Sequence, residues 1–201
     1  MHNAEGSLRE RNRLETWTAI HDTAARLSFE KGLAEATVEE IAAAAGVSRR
    51  TFFNYFPTKE DAVLGVRAPA VPAEALRDFR GGDDDLFGRT VSLLAAVVMS
   101  MTRGGSPRGR RLELIRRYPE LRTRFHQYAS AAEKLVEPIL AERLAGAAAR
   151  PAPEDSVAAM LALAGAVIRF AYARDPEMSA GTDVAIENAL EIFRDVIRKN
   201  P

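Results

Sequence analysis

Three helix-start signals fall within 22 residues of this 201-residue chain, at Thr37, Ser48 and Thr58, and they confine the segments between them to helices of about two turns. Thr37-Val38-Glu39-Glu40 has the spacing of a capping box, in which the threonine hydroxyl accepts from the Glu40 backbone N–H while the Glu40 carboxylate reaches back. The helix this starts runs from Val38 to about Ala45, where Gly46-Val47 breaks it. Ser48 then caps a helix over Arg49 to about Tyr55, and Pro57 stops it. Thr58 to Asp61 repeats the pattern ahead of a helix containing Val63, Leu64 and Val66. A longer helix precedes all three: Leu14, Trp17, Ile20, Ala24 and Leu27 recur at three- or four-residue steps, and Gly32 closes it. Residues 1 to about 10 are polar and read as a mobile arm.

Beyond this point the chain stays helical. Ala68 to Asp85, with Pro69, Pro72, Gly81-Gly82 and three successive aspartates, reads as a hinge whose acidic end can cap the next helix. That helix, Leu86 to about Thr102, is apolar nearly all round and belongs inside a bundle. Arg103 to Pro107 ends it. A short basic helix over Arg108 to Arg117 and a long one with Pro119 in its first turn follow. Ala145 to Pro153 breaks the chain again before helices over Glu154 to Arg174 and about Thr182 to Lys199, which Asp175-Pro176 and Gly181 separate. Alanine fills 36 positions and no segment alternates with period two, so the expected fold is all-α with about nine helices. The expected division is a helix-turn-helix unit over 1–67 and a helical bundle over 68–201.

Several classes of chemistry drop out. There is no cysteine, hence no disulfide and no thiolate ligand, and the three histidines, at 2, 21 and 126, lie in three separate segments. No nucleophile elbow, P-loop or dinucleotide-binding glycine motif occurs, so no catalytic residue, cofactor or metal is expected. The longest uninterrupted apolar run, Val157 to Ile168, is 12 residues where a bilayer span needs roughly 18 or more. The chain is expected to be cytoplasmic, with no membrane partner.

Two short helices across Ala45-Gly46-Val47 make a helix-turn-helix, a geometry for presenting the second helix to a groove. Phe52 and Phe56, four residues apart, turn inward with Val47 and leave Ser48, Arg49, Arg50, Thr51, Asn54 and parts of Phe53 and Tyr55 outward. These are groove-reading types: arginine for guanine, asparagine for adenine, threonine or phenylalanine for a thymine methyl, tyrosine or lysine for phosphate. Charge argues the other way at first. The chain balances 28 Lys/Arg against 28 Asp/Glu, and residues 1–67 hold nine basic and ten acidic side chains, a net of −1. The distribution favours binding even so, because Arg49, Arg50 and Lys59 occupy the proposed contact face while Glu35, Glu39 and Glu40 cluster elsewhere.

Residues of about 11 to 64 resemble the DNA-binding domain of TetR-family transcriptional regulators. The likeness is carried by the helix to Lys31, Gly32, Ala36-Thr37-Val38-Glu39-Glu40-Ile41-Ala42, Ala45-Gly46-Val47-Ser48, Phe52-Phe53-Asn54-Tyr55-Phe56 and Thr58-Lys59-Glu60-Asp61. The resemblance implies that Thr37, Tyr55 and Lys59 hold phosphates while Arg49, Arg50, Thr51 and Asn54 face the major groove. Family members often carry tyrosine where this chain has Phe53. It also implies a repressor that binds a pseudo-palindromic double-stranded operator as a homodimer and responds to a small-molecule effector.

The remaining two thirds match no family pattern closely. Candidate effector-pocket residues are Phe87, Leu94, Met99, Met101, Phe125, Tyr128, Phe170 and Tyr172, with Arg117 and its neighbours Arg110, Arg111 and Arg116 able to receive an anionic head group. An amphipathic or anionic effector is therefore expected. Small residues at Ala158, Ala162, Gly165 and Ala166, with Phe193 on the last helix, mark the expected dimer interface. The alternative reading is a helical interaction protein or helix-bundle enzyme with a vestigial helix-turn-helix, which would show no sequence-specific DNA affinity.

Overall fold

A computed structural model describes residues 2–82, 84–102, 108–145, 153–175, 178–179 and 181–199. Among them are ten helices and no strand; one isolated antiparallel bridge pairs Val66 with Thr102. The expected turn over Gly104 to Pro107, most of the breaker after Ala145, and Pro176 lie outside the described residues. The chain forms two compact units, one of residues 1–67 and 102–126, the other of 68–101 and 127–201. The first of these boundaries lies between Arg67 and Ala68. Residues 102–126, expected in the bundle, pack instead with the helix-turn-helix.

The first unit holds α1 (His2–Lys31), α2 (Val38–Ala44), α3 (Arg49–Tyr55), α4 (Lys59–Leu64), α7 (Arg108–Arg117) and the head of α8 (Pro119–Leu144) as far as His126. The expected arm is not separate, because α1 already begins at His2. Each cap read from the sequence is formed: Thr37 accepts from Glu40 N and receives the reciprocal bond, Ser48 accepts from Thr51 N, and Thr58 accepts from Asp61 N. Lys31, 2.6 Å away, and Thr37 together hold the Glu40 carboxyl down at about 2. Gly32 and Gly46 take the left-handed conformation that lets α1 end and α2 turn into α3. Phe52 and Phe56 are fully buried with Ile20, Ile41 and Leu64, and Trp17 lies 5.3 Å from the Phe56 ring. Burying two such rings favours folding by about 2–3 kcal/mol each.

Two residues earlier than expected, α4 stops at Leu64. Gly65 caps it in the left-handed region, and Val66 leaves the helix to pair with Thr102. The imidazole of His21 fills the space beside Gly65, fully buried, and its Nδ1–H donates to Ala62 O at 2.7 Å. Its environment is Trp17 and Asp22 from α1, Ala62 and Gly65 at the end of α4, and Arg111 and Arg110 from α7. Burial is the main force holding its pKa below 6.5, and the two arginines add to it against the Ala62 bond and Asp22. The folded unit therefore prefers a neutral imidazole, so this contribution to stability is complete above pH 6.5 and is lost as pH falls below it. Denaturant unfolding at pH 8 and pH 5.5 should show that loss, and His21→Gln should flatten the slope between the two; an unchanged slope would remove His21 as its source.

The second unit contains α5 (Ala73–Arg80), α6 (Leu86–Ser100), α8 from Gln127 onward, α9 (Pro153–Arg174) and α10 (Thr182–Lys199). The expected hinge thus contains a helix, anchored by Phe79, which is 2% exposed. Asp85 caps α6 by accepting from Gly88 N, as the acidic run suggested. The core gathers Val91, Leu94, Val97, Val136, Leu140 and Val167. By length and composition the Glu154–Arg174 stretch of α9 could cross a membrane, with a mean hydropathy of 1.7 over 18 residues, because its many alanines lengthen the apolar run. It is also the core helix of this unit, contributing Val157, Leu161, Ala164, Val167 and Ile168.

Candidate nucleic-acid interface

The surface of α3 follows from its two buried phenylalanines. With Phe52 and Phe56 fixed inward, Arg49, Arg50, Phe53 and Asn54 stand exposed, while Thr51 and Tyr55 are half-buried at the edges. Phe53 is 44% exposed, high for so large an apolar ring, and the Arg49 guanidinium lies 5.5 Å from its centroid. Arg49 also pairs with Glu39 of α2 at 3.0 Å. Both partners are well exposed, so this ion pair orients the arginine without committing it. Arg50 has no ion-pair partner among the described residues. Ser48 caps α3 through its hydroxyl, which also lies 2.9 Å from that of Thr51.

Two residues expected at phosphates have internal duties. Thr37 is held in the capping box. The Lys59 ammonium donates to three backbone carbonyls, Leu33 O at 2.7 Å, Ala36 O at 3.2 Å and Ala34 O at 3.3 Å. An ammonium has three donors. All three tie the start of α4 to the α1–α2 connection, so what Lys59 offers a phosphate is charge and not a free N–H.

The electrostatic objection to DNA binding disappears once the unit is drawn as it folds. Residues 102–126 bring eight arginines against two glutamates, so the helix-turn-helix unit carries +5 where residues 1–67 alone carry −1. The second unit carries the compensating −5. A chain with no net charge thus contains a basic domain. The sequence reading missed this because the segment after α7 joins the unit through distant contacts: Tyr118 donates to Ser28 O, and Arg124 at the head of α8 grips Asp61 with Nε–Oδ1 at 2.7 Å and Nη2–Oδ2 at 2.9 Å.

Residues 20–65 match the family model described as bacterial regulatory proteins, tetR family. The likeness to the tetR family holds over that stretch. The HTH-type transcriptional regulator EthR of Mycolicibacterium smegmatis is 45% identical over 53 residues. That match spans 26% of this chain and about a quarter, 24%, of the relative's length. Native NalD, the secondary repressor of the MexAB-OprM multidrug efflux pump in Pseudomonas aeruginosa, is 25% identical with a TM-score of 0.50, over 89% of this chain and 95% of its own. A second NalD structure, 23% identical with a TM-score of 0.52 over 92% and 96%, shows the shared fold.

The candidate effector residues are divided between the two units. Arg117 and Phe125 belong to the first unit, whereas Phe87, Leu94, Met99, Met101, Tyr128, Phe170 and Tyr172 belong to the second. Arg117 is exposed and stacks on Tyr118, 5.5 Å from its ring. Leu94 and Met101 are core, Phe87, Phe125 and Tyr128 are half-buried, and the Tyr172 hydroxyl donates to Met99 Sδ at 3.3 Å. Of the expected interface residues, Ala158 and Ala162 are exposed and Ala166 is half-buried. Gly165 is buried beneath Arg169 and Glu133, and Phe193 packs edge-on against Phe170 at 5.6 Å.

Proposed function

We propose that the chain is a ligand-responsive repressor that binds a pseudo-palindromic operator as a homodimer. The observation that carries this reading is the row of exposed groove-reading side chains on α3, Arg49, Arg50, Phe53 and Asn54, backed by two fully buried phenylalanines and set in a unit of charge +5. A helix this short holds its side chains in register only because Ser48 caps it and the rings anchor it. Ser48, Thr51 and Tyr55 flank the row, and Thr37 and Lys59 lend their neighbourhood to the phosphate backbone. Such a regulator works on chromosomal DNA, in the cytoplasm.

Dimerisation is supported by uncovered apolar surface on α9 and α10. Leu163 is 40% exposed, Val184 47%, Val196 56% and Ile197 55%, beside the small Ala158 and Ala162. Pairing two copies sets two recognition helices roughly 34–36 Å apart, in successive major grooves of one duplex. Effector control rests on linkage: a ligand that weakens operator binding is itself weakened by DNA to the same degree.

Selection of bound fragments from genomic DNA supplies the operator, and fluorescence anisotropy then measures the variants. Arg50→Ala should weaken specific binding about tenfold to a hundredfold at fixed salt, with a much smaller loss on random DNA, and Asn54→Ala should relax preference at one base pair in each half-site. Unchanged discrimination in both variants would remove α3 from the interface and return the chain to the interaction-protein reading.

A further inference from the structure

A groove of about 1100 Å³ runs between α5, α6 and α10, wholly within the second unit. Its floor is apolar, with Ala75 and Phe79 from α5, Leu93 and Ala96 from α6, and Ile186 and Leu190 from α10. Its rim is acidic: Glu74, Asp78, Asp84, Asp85, Asp183 and Glu187 face two guanidiniums, Arg89 and Arg194. Both arginines are already engaged at the end formed by the α5–α6 connection. Arg89 donates to the Asp84 carboxylate at 2.7 Å and to the Asp78 and Asp84 carbonyls at 2.6 and 2.9 Å, and Arg194 pairs with Asp85 and Glu191. Elsewhere along the rim the charge is uncompensated. Asp183 and Glu187 stand four apart on α10 with no cation against either among the described residues, and Glu74 meets only the exposed Arg77 at 3.6 Å.

We propose that this groove binds an amphipathic organic cation, its hydrocarbon or aromatic body on the Phe79–Leu93–Ile186 floor and its positive charge toward Asp183 and Glu187. The volume lies just above the roughly 300–1000 Å³ of drug-sized ligand sites, so a body of that size fits. The sign of the rim selects among amphiphiles, since a carboxylate or phosphate head would meet like charge at both helices. This reverses the anionic effector expected from Arg117 and its neighbours, and of the residues expected to line a pocket only Met99 borders the groove. Binding stands apart from the DNA reading. The regulator reading is needed only for calling the occupant an effector.

Tetraphenylphosphonium and tetraphenylborate, nearly equal in size and opposite in charge, test the proposal by calorimetry on the full chain. The cation should bind at one site at least tenfold more tightly than the anion, and more weakly as salt is raised. Asp183→Asn with Glu187→Gln, both on the surface, should weaken the cation about tenfold and flatten its salt dependence. Ala96→Trp, which fills the floor, should abolish binding with the melting temperature retained, and Glu154→Gln on α9 should change nothing. Equal binding of the two ions, or an unaltered affinity in the double variant, overturns the assignment. So does a lysine- and arginine-rich peptide that occupies the groove while the phosphonium does not, since the surface would then be a protein-docking site. Operator binding measured on the same preparations separates the two readings: no cation binding by the unaltered chain with intact DNA binding sinks the groove alone, and cation binding without DNA binding sinks the regulator alone.

Discussion

Arg124→Ala should lower the unfolding free energy by about 3 kcal/mol, the lower end of what stranding a buried charge costs. Asp61 is fully buried, and the Arg124 guanidinium meets both of its carboxylate oxygens in a two-pronged grip. The arginine keeps 32% of its side chain in solvent, which is why the lower end applies. Removing it leaves an acceptor-only group in the interior without its cation. Arg124→Lys retains the charge but not the fork and falls between the two. In a double-mutant cycle, Asp61→Ala with Arg124→Ala costs clearly less than the two single changes added together. Strict additivity, read by denaturant unfolding of the full chain, would show that the two groups do not depend on one another. The pair joins residues 63 positions apart, so it also accounts for much of why the head of α8 belongs to the DNA-binding unit.

A comparable loss, about 3 kcal/mol, is expected for Gly65→Ala. The residue has φ +60°, which costs an L side chain roughly 1–2 kcal/mol, and a Cβ placed there would lie 2.5–2.8 Å from three atoms of the His21 ring. Neither the buried imidazole nor the end of α4 has room to give. The same substitution at Gly46, where φ is +69° and nothing lies within 4 Å of the added carbon, carries the conformational cost alone, about 1 kcal/mol. With His21→Ala already in place, Gly65→Ala should cost no more than Gly46→Ala does. If it still costs about 3 kcal/mol there, the imidazole is not what forbids a side chain at 65.

These two contacts show which parts of the molecule the sequence could disclose. The helix-turn-helix is written locally: Thr37 with Glu40, Ser48 with Thr51, Thr58 with Asp61 and Phe52 with Phe56 all act over three or four residues, and periodicity finds them. What joins Tyr118 and the head of α8 to the unit acts over 90 and 63 residues, through single side chains with no period. The sign of the domain's charge went astray with it. Val66 looked helical because it follows Leu64 at an apolar position, and only its bridge to Thr102 draws it out. Lys59 looked like a phosphate ligand because its type and place fit, whereas the three carbonyls that hold its ammonium lie across the α1–α2 connection. In the second unit, α5 hid among prolines, glycines and aspartates, and with it went one wall of the acidic groove.

Trp17 is the only tryptophan of the chain, and it sits in the interior of the first unit, 5.3 Å from both the His21 and the Phe56 rings. Indole emission is therefore a private optical channel for the helix-turn-helix unit, blind to the bundle. Circular dichroism, by contrast, sums helices from both halves. Overlaying the two signals along one melting curve will tell whether the halves come apart together or one at a time, with no label attached.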